Sequence, residues 1–414
     1  MAKKQRKNRK NDGAAPDIAP EEEIRWEPEI DESSDFYEEE TPEEQLLSRK
    51  DFRKAAFTFF LAVLMFAACI ILWLYRDRFD PEKLILSAEN AAIAKEEYVF
   101  DAGTGQTFAT AGRGLAAATT TGLMLMDENG QISVSHLFQM ETPAIAACQD
   151  FAVFYDLGGT NIAVASFDGS IRELEPAGHI TSVTVSSGGY ICVTTDCTGY
   201  RGLITVYAPD LEPVYEWYSS SAWVMSGTVS PDNRELAALV YTASGSEVRF
   251  FSLTKTDQQA AFSVSGTVLL DVHWFSATQL CAYSTDQAFF FSDQGQWSNT
   301  YSFNDQYLVA CTFDGANYAA FALSSYRAAT ASTLVTLDAN GKELGTADIQ
   351  SEIISLTATG SEVLVLCPDS ALLFGTTLSP KGHLVGLTGF KYGLLRTRGE
   401  ALLISANYAE VYTF

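Results

Sequence analysis

Residues 162–169 read Ile162-Ala-Val-Ala-Ser-Phe-Asp-Gly169. A short apolar run is closed by Asp-Gly, a pair that accepts the positive φ of a tight hairpin, so this is a strand entering a turn. The same unit recurs on both sides. Leu123 to Met126 leads into Asp127-Glu-Asn129-Gly130, Leu203 to Tyr207 into Pro209-Asp210, and Val248 to Leu253 into Thr254 to Asp257. Further on, Phe289 to Phe291 leads into Asp293-Gln-Gly295, Leu334 to Leu337 into Asp338-Ala-Asn340-Gly341, and Leu372 to Phe374 into Pro380-Lys-Gly382. The turns begin near 127, 168, 209, 254, 293, 338 and 379. A strand–turn–strand unit repeating every ~42 residues is what a four-stranded propeller blade produces.

Seven units account for the chain up to its last stretch. Ala409 to Phe414 is an apolar run where an eighth outer hairpin should begin, and the chain stops there. Tyr98-Val99-Phe100, just ahead of the first unit, can supply the missing outer strand and close the ring. The expected fold is all-β, an eight-bladed β-propeller over residues 96–414, with seven blades as the alternative. A pair of β-sandwiches would not hold so regular a period over this length.

The stretch Phe154-Tyr-Asp-Leu-Gly-Gly159 is followed by Gly189-Tyr-Ile-Cys-Val and Gly199-Tyr-Arg-Gly202-Leu-Ile-Thr-Val-Tyr207. Tyr215-Glu-Trp217-Tyr218 and Val229-Ser-Pro-Asp-Asn233 complete the set. Together these segments resemble a family of bacterial membrane-anchored propeller proteins, typical of Gram-positive bacteria and known only as a domain of unknown function. The resemblance covers approximately residues 80–414 and is most specific between 150 and 240. It implies a short tail, one membrane span and an external propeller, and it brings no catalytic residues.

Charge is distributed unevenly over the 414 residues, whose net charge is −25. Residues 1–54 hold 11 basic and 16 acidic groups, residues 55–75 hold none, and residues 76–414 hold 16 basic and 36 acidic groups. So acidic a surface gains nothing from counterion release and speaks against nucleic acid as a partner. The uncharged run AAFTFFLAVLMFAACIILWLY, residues 55–75, is long enough as a helix to match a bilayer core of ~30 Å. Fifty-four residues precede it, and its exit, Trp-Leu-Tyr-Arg-Asp-Arg, lacks a small-residue cleavage site, so it reads as an uncleaved signal anchor. Arg49, Lys50, Arg53 and Lys54 before the run, with the basic head Lys3 to Lys10, place the N-terminus in the cytoplasm and the propeller outside. Residues 12–44, with 15 acidic groups and four prolines, cannot bury enough apolar surface to order themselves. The expected organisation is a disordered tail at 1–54, a span at 55–75, a linker at 76–95 and the propeller at 96–414.

Chemistry is sparse. None of His136, His179, His273 and His383 has a second His or Cys at metal-ligand spacing. There is no nucleophile elbow. Asp338-Ala-Asn340-Gly341 lacks the Glu that would close a calcium loop and reads as a hairpin. Cys148, Cys192, Cys281, Cys311 and Cys367 sit in apolar strand-like runs, as small core residues do, while Cys192 and Cys197 are close enough to pair across a hairpin. No cofactor or metal is expected.

Aromatic residues gather in two clusters. One is Tyr215, Trp217, Tyr218 and Trp223; the other is Phe289, Phe290, Phe291, Trp297, Tyr301 and Phe303. Packing between blades explains the second set best. The first set supplies the candidate partner contacts, because exposed Trp and Tyr anchor interfaces. Alternation puts Trp217 and Tyr218 on opposite faces of their strand. The functional expectation is a non-enzymatic scaffold or sensor that holds a protein partner at the cell envelope. A module for cell-wall glycan is the alternative, and an enzyme of the quinoprotein type the remote one.

Overall fold

A computed structural model of the protein describes residues 57, 59–66, 90–91, 94–100, 103–397 and 399–414. The chain divides into two compact units, Met1–Leu74 and Tyr75–Phe414. In the first, residue 57 and residues 59–66 are α-helical with exposed side chains. Among the described residues no helix is long and apolar enough to cross a membrane. The expected span at 55–75 is therefore not present as a complete helix among the described residues. Its remainder, the tail at 1–54 and most of the linker lie outside them.

The second unit is an eight-bladed propeller. Seven blades take four consecutive antiparallel strands each: residues 107–137, 143–174, 180–218, 223–265, 271–302, 307–349 and 355–385. We number these blades 1 to 7 and letter the strands of each a to d in chain order. The a strands of most neighbouring blades pack against one another and ring the axis. Blade 8 has three strands from residues 392–413, and its outermost strand is Glu96–Val99 from the other end of the chain. Asn90–Ala91 adds a short fifth strand to blade 7, parallel to Pro380–Val385, so part of the expected linker belongs to a sheet.

The b and c strands explain why the sequence reads as repeated apolar runs. Gly114–Ala118, Tyr318–Ser324 and Glu362–Leu366 are buried at every position. Each is covered by a neighbouring blade on both faces, so alternation gives way to continuous burial. The d strands face solvent at the rim and alternate, as in Pro213–Tyr218.

All seven turns read from the sequence join c to d. In six of them the d strand slips by one residue after the turn, forming a bulge. At five of the six a residue at positive φ sits there: Gly130, Gly295 and Gly341, but also Leu211 (φ 72°) and Leu378 (φ 57°). Left-handed backbone costs a leucine ~1–2 kcal/mol. Both leucines offset this by burial, Leu378 at 4% exposure in one blade interface and Leu211 against another. The seventh turn also lies earlier than the sequence suggests, because Pro380 already opens strand d.

Closure falls where the sequence places it. Tyr98 pairs with Ala409 and is fully buried, and its hydroxyl donates to the Glu128 carbonyl at 2.5 Å. The Phe100 N–H donates to Asn407. One strand from each end completes the ring.

Candidate functional site

Each blade has two ends. The b–c loops and d–a connections lie at one face of the ring, and the a–b and c–d turns at the other. Tyr218 ends strand d of blade 3, and Trp223 begins strand a of blade 4. Main-chain bonds tie the connection between them to the b–c loop of blade 3. The Arg201 N–H donates to Ser219, the Ser219 N–H to Gly202, and the Val224 N–H to Arg201. Gly202 takes φ 146°, and a Cβ there would meet the Val224 side chain at 2.8 Å, so the seam admits only glycine.

That seam lays side chains of two loops against each other. The Tyr200 and Tyr218 rings stand 5.0 Å apart, tilted by 52°. The Arg201 guanidinium lies 4.4 Å over the Trp223 ring, which is 57% exposed. Beside them opens a cleft of about 540 Å³, lined by Thr181, Asp196, Cys197, Met225 and Tyr241 as well as Arg201 and Trp223. The Tyr241 hydroxyl, at the cleft wall, donates to the Leu269 carbonyl at 2.6 Å. The volume falls in the ~300–1,000 Å³ range of ordinary ligand sites.

One carboxylate, Asp196, lines the cleft, and another, Glu216, engages Tyr218. Asp196 accepts the His179 main-chain N–H at 2.7 Å and lies 3.1 Å from its Nδ1, and these contacts hold its carboxyl below the usual range. Glu216 accepts the Tyr218 hydroxyl at 3.3 Å, and its charge raises that phenol. On strand a of blade 5, Asp271 lies 3.2 Å from His273 Nε2 and accepts the Ser226 hydroxyl from blade 4 at 3.4 Å. Burial pushes the Asp271 carboxyl up, but His273 and these hydrogen bonds outweigh it and leave it below the usual range. The His273 ring is stacked on Phe313 at 4.0 Å. Among the described residues no group of three or more His, Cys, Asp or Glu side chains is arranged to hold a metal ion.

The four sequence candidates divide into two pairs. Trp217 and Tyr218 point to opposite faces, as alternation requires. Tyr215 is buried and Trp217 half-buried, and both pack on Phe251 of blade 4, with ring centroids 6.4 and 4.6 Å away. Tyr218 and Trp223 are exposed, Trp223 lining the cleft and Tyr218 against its Tyr200. In the second cluster Phe289, Phe290, Phe291 and Phe303 are core residues, whereas Trp297 is 64% exposed on a rim strand. Tyr200, Arg201 and Met225 were missed as site residues. Tyr200 and Arg201 sit in a polar loop with no periodic signal, and Met225 is exposed at a bulge in strand a. Cys192 and Cys197 are both free thiols. Cys192 faces the core, where burial pushes its thiol up to about 12.

The cleft belongs to a wider feature. On its face of the ring, Leu137, Leu157, Val268, Leu270, Tyr307 and Tyr326 are also exposed. Away from that face the propeller's large exposed apolar groups among the described residues are Ile132, Val214 and Trp297, all on d strands at the rim.

The model of a family of unknown function, DUF5711, matches residues 89–376. The chain belongs to that family. The match begins with the strand added to blade 7 and stops before that blade's d strand, so the DUF5711 model leaves most of blade 8 uncovered. No curated protein matches the chain. Among solved structures, the C-terminal WD40 domain of Sif2 is similar over 78% of this chain and 99% of that one, at 11% identity and TM-score 0.57. Saccharomyces cerevisiae Sqt1 is similar over 79% and 98%, at 10% identity and TM-score 0.54. At these identities the likeness is one of fold.

Proposed function

We propose that this DUF5711 protein is a membrane-anchored, extracytoplasmic propeller that acts, without catalysis, as a protein-binding scaffold or sensor at the cell envelope. One observation carries the binding role. Exposed rings and aliphatic side chains gather on the b–c/d–a face, and the Tyr200, Tyr218 and Trp223 rings cluster beside a cleft. Aromatic residues with arginine beside them are the groups that dominate interface energies. The uncharged run at 55–75 supports the anchor, and the basic residues before it support the orientation.

The test is photocrosslinking in intact cells, with a crosslinking amino acid at Tyr218 and, as comparison, at Asn340 on the other face. A discrete protein adduct from Tyr218 and none from Asn340 is expected. Equal or absent adducts at both positions would end the proposal. Sedimentation of the protein with wall polymer, lost in Trp223→Ala and without any protein adduct, would put a glycan in the partner's place. Recovery in the membrane fraction, abolished by deleting residues 55–75, checks the anchor.

A further inference from the structure

Arg201 carries a charge that pairs with no carboxylate among the described residues. Among the described residues its guanidinium makes no ion pair and no side-chain hydrogen bond; its contact is the face of Trp223 at 4.4 Å. Most other described arginines of the propeller are engaged: Arg113 with Glu128 and Glu400, Arg234 with Asp232, Arg249 with Glu247, and Arg172 with the Asp210 carbonyl. The carboxylate that lines the cleft, Asp196, is also taken, by His179. A unit with 36 acidic and 16 basic groups thus leaves a cation unpaired at the mouth of a cleft. A guanidinium lying on a ring presents its N–H edge outward, the geometry that takes a carboxylate through two parallel hydrogen bonds.

The lining beside it is of the other kind. Trp223 and Met225 are exposed on the strand that forms one wall, and Tyr200 stands next to Arg201. We infer that the cleft binds an extended polypeptide segment in which an apolar side chain adjoins a carboxylate. The apolar side chain enters against Trp223 and Met225, and the carboxylate pairs with Arg201. The inference rests on the protein-binding reading and adds the chemistry of the partner. Arg327, 5.5 Å over the Tyr307 ring on blade 6, is the internal comparison: an equally ring-backed cation that does not line this cleft.

The experiment uses the full-length protein in detergent micelles and a dye-labelled random copolymer of glutamate and tyrosine, followed by fluorescence anisotropy. A lysine–tyrosine copolymer, polyglutamate and polygalacturonate serve as comparisons. The glutamate–tyrosine copolymer is expected to bind at least tenfold more tightly than each of the other three. Arg201→Ala should weaken it tenfold or more, Arg201→Lys severalfold, and Arg327→Ala less than twofold. Unfolding midpoints of the three variants should match the parent, since both arginines are exposed. Unchanged binding in Arg201→Ala, equal losses in Arg327→Ala, or equal affinity for the lysine copolymer would overturn the assignment. Arg201-dependent binding of polygalacturonate at the same affinity would overturn the choice of a polypeptide. A Tyr218 protein adduct with no copolymer binding would leave the protein-binding reading standing and remove only the carboxylate; loss of both would remove both.

Discussion

The two faces of the ring use their side chains in opposite ways. On the a–b/c–d face, polar groups tie neighbouring blades together at several places. Arg172 donates to Asp210, the Ser186 hydroxyl to Asn233, Gln279 to Asn340, and Asn299 to the Gly341 carbonyl. The buried Glu362 takes Lys381 at 2.7 Å and the Gly399 N–H at 2.6 Å. On the b–c/d–a face, Tyr200, Tyr218, Trp223, Tyr307 and Tyr326 remain exposed. Burying each of these rings would gain a few kcal/mol. The ring is already closed by Tyr98 and the c–d turns, so one face can hold the fold while the other stays open to a partner.

Substitutions can break that division, and Tyr98→Ala should do so most severely. Emptying a fully buried site in the closing strand is expected to cost about 3–5 kcal/mol in denaturant unfolding, while Tyr98→Phe, which removes the bond to Glu128, costs about 1 kcal/mol. Indistinguishable unfolding curves for Tyr98→Ala and the parent would mean that the closing strand does not hold the ring. Next comes Glu362→Ala, at about 3 kcal/mol, because it strands Lys381 and the Gly399 N–H without their partner. A loss no larger than that of an exposed substitution would rule out the buried pair as a tie between blades 7 and 8.

The other face should respond in the opposite sense. Trp223→Ala is expected to shift stability by no more than about 0.5 kcal/mol, yet to reduce the Tyr218 crosslink tenfold or more. A stability loss comparable to that of Glu362→Ala would place Trp223 among the structural residues and erase the contrast. The smallest effect is the titration of Asp196. Its carboxyl is lowered by the His179 main-chain N–H first, then by the imidazole. Its hold on the loop is therefore complete above the ordinary carboxylate pKa and lost as pH falls through the lowered value. NMR titration of the Asp196 carboxyl carbon should show most of the lowering surviving in His179→Ala. A return to the ordinary value would shift the cause from the main chain to the ring.

Local chemistry was enough to read the blade count, the c–d turns, the closing strand around Tyr98 and the burial of Phe289 to Phe291. Each of these depends on short apolar runs and turn dipeptides, which act over a few residues, and on a repeat that sums them over the chain. The same signals separated Trp217 from Tyr218 by face without saying which face meets the next blade. Only packing settled that: Phe251, on another blade, covers Tyr215 and Trp217 and leaves Tyr218 outside. Leu211 and Leu378 at positive φ were equally illegible, since a distant core outweighs their local strain. Arg201 meets Trp223 across 22 positions of sequence because a seam of main-chain hydrogen bonds and a glycine at φ 146° join two loops. Periodicity carries through a single chain, whereas a site built between blades exists only once the ring has closed.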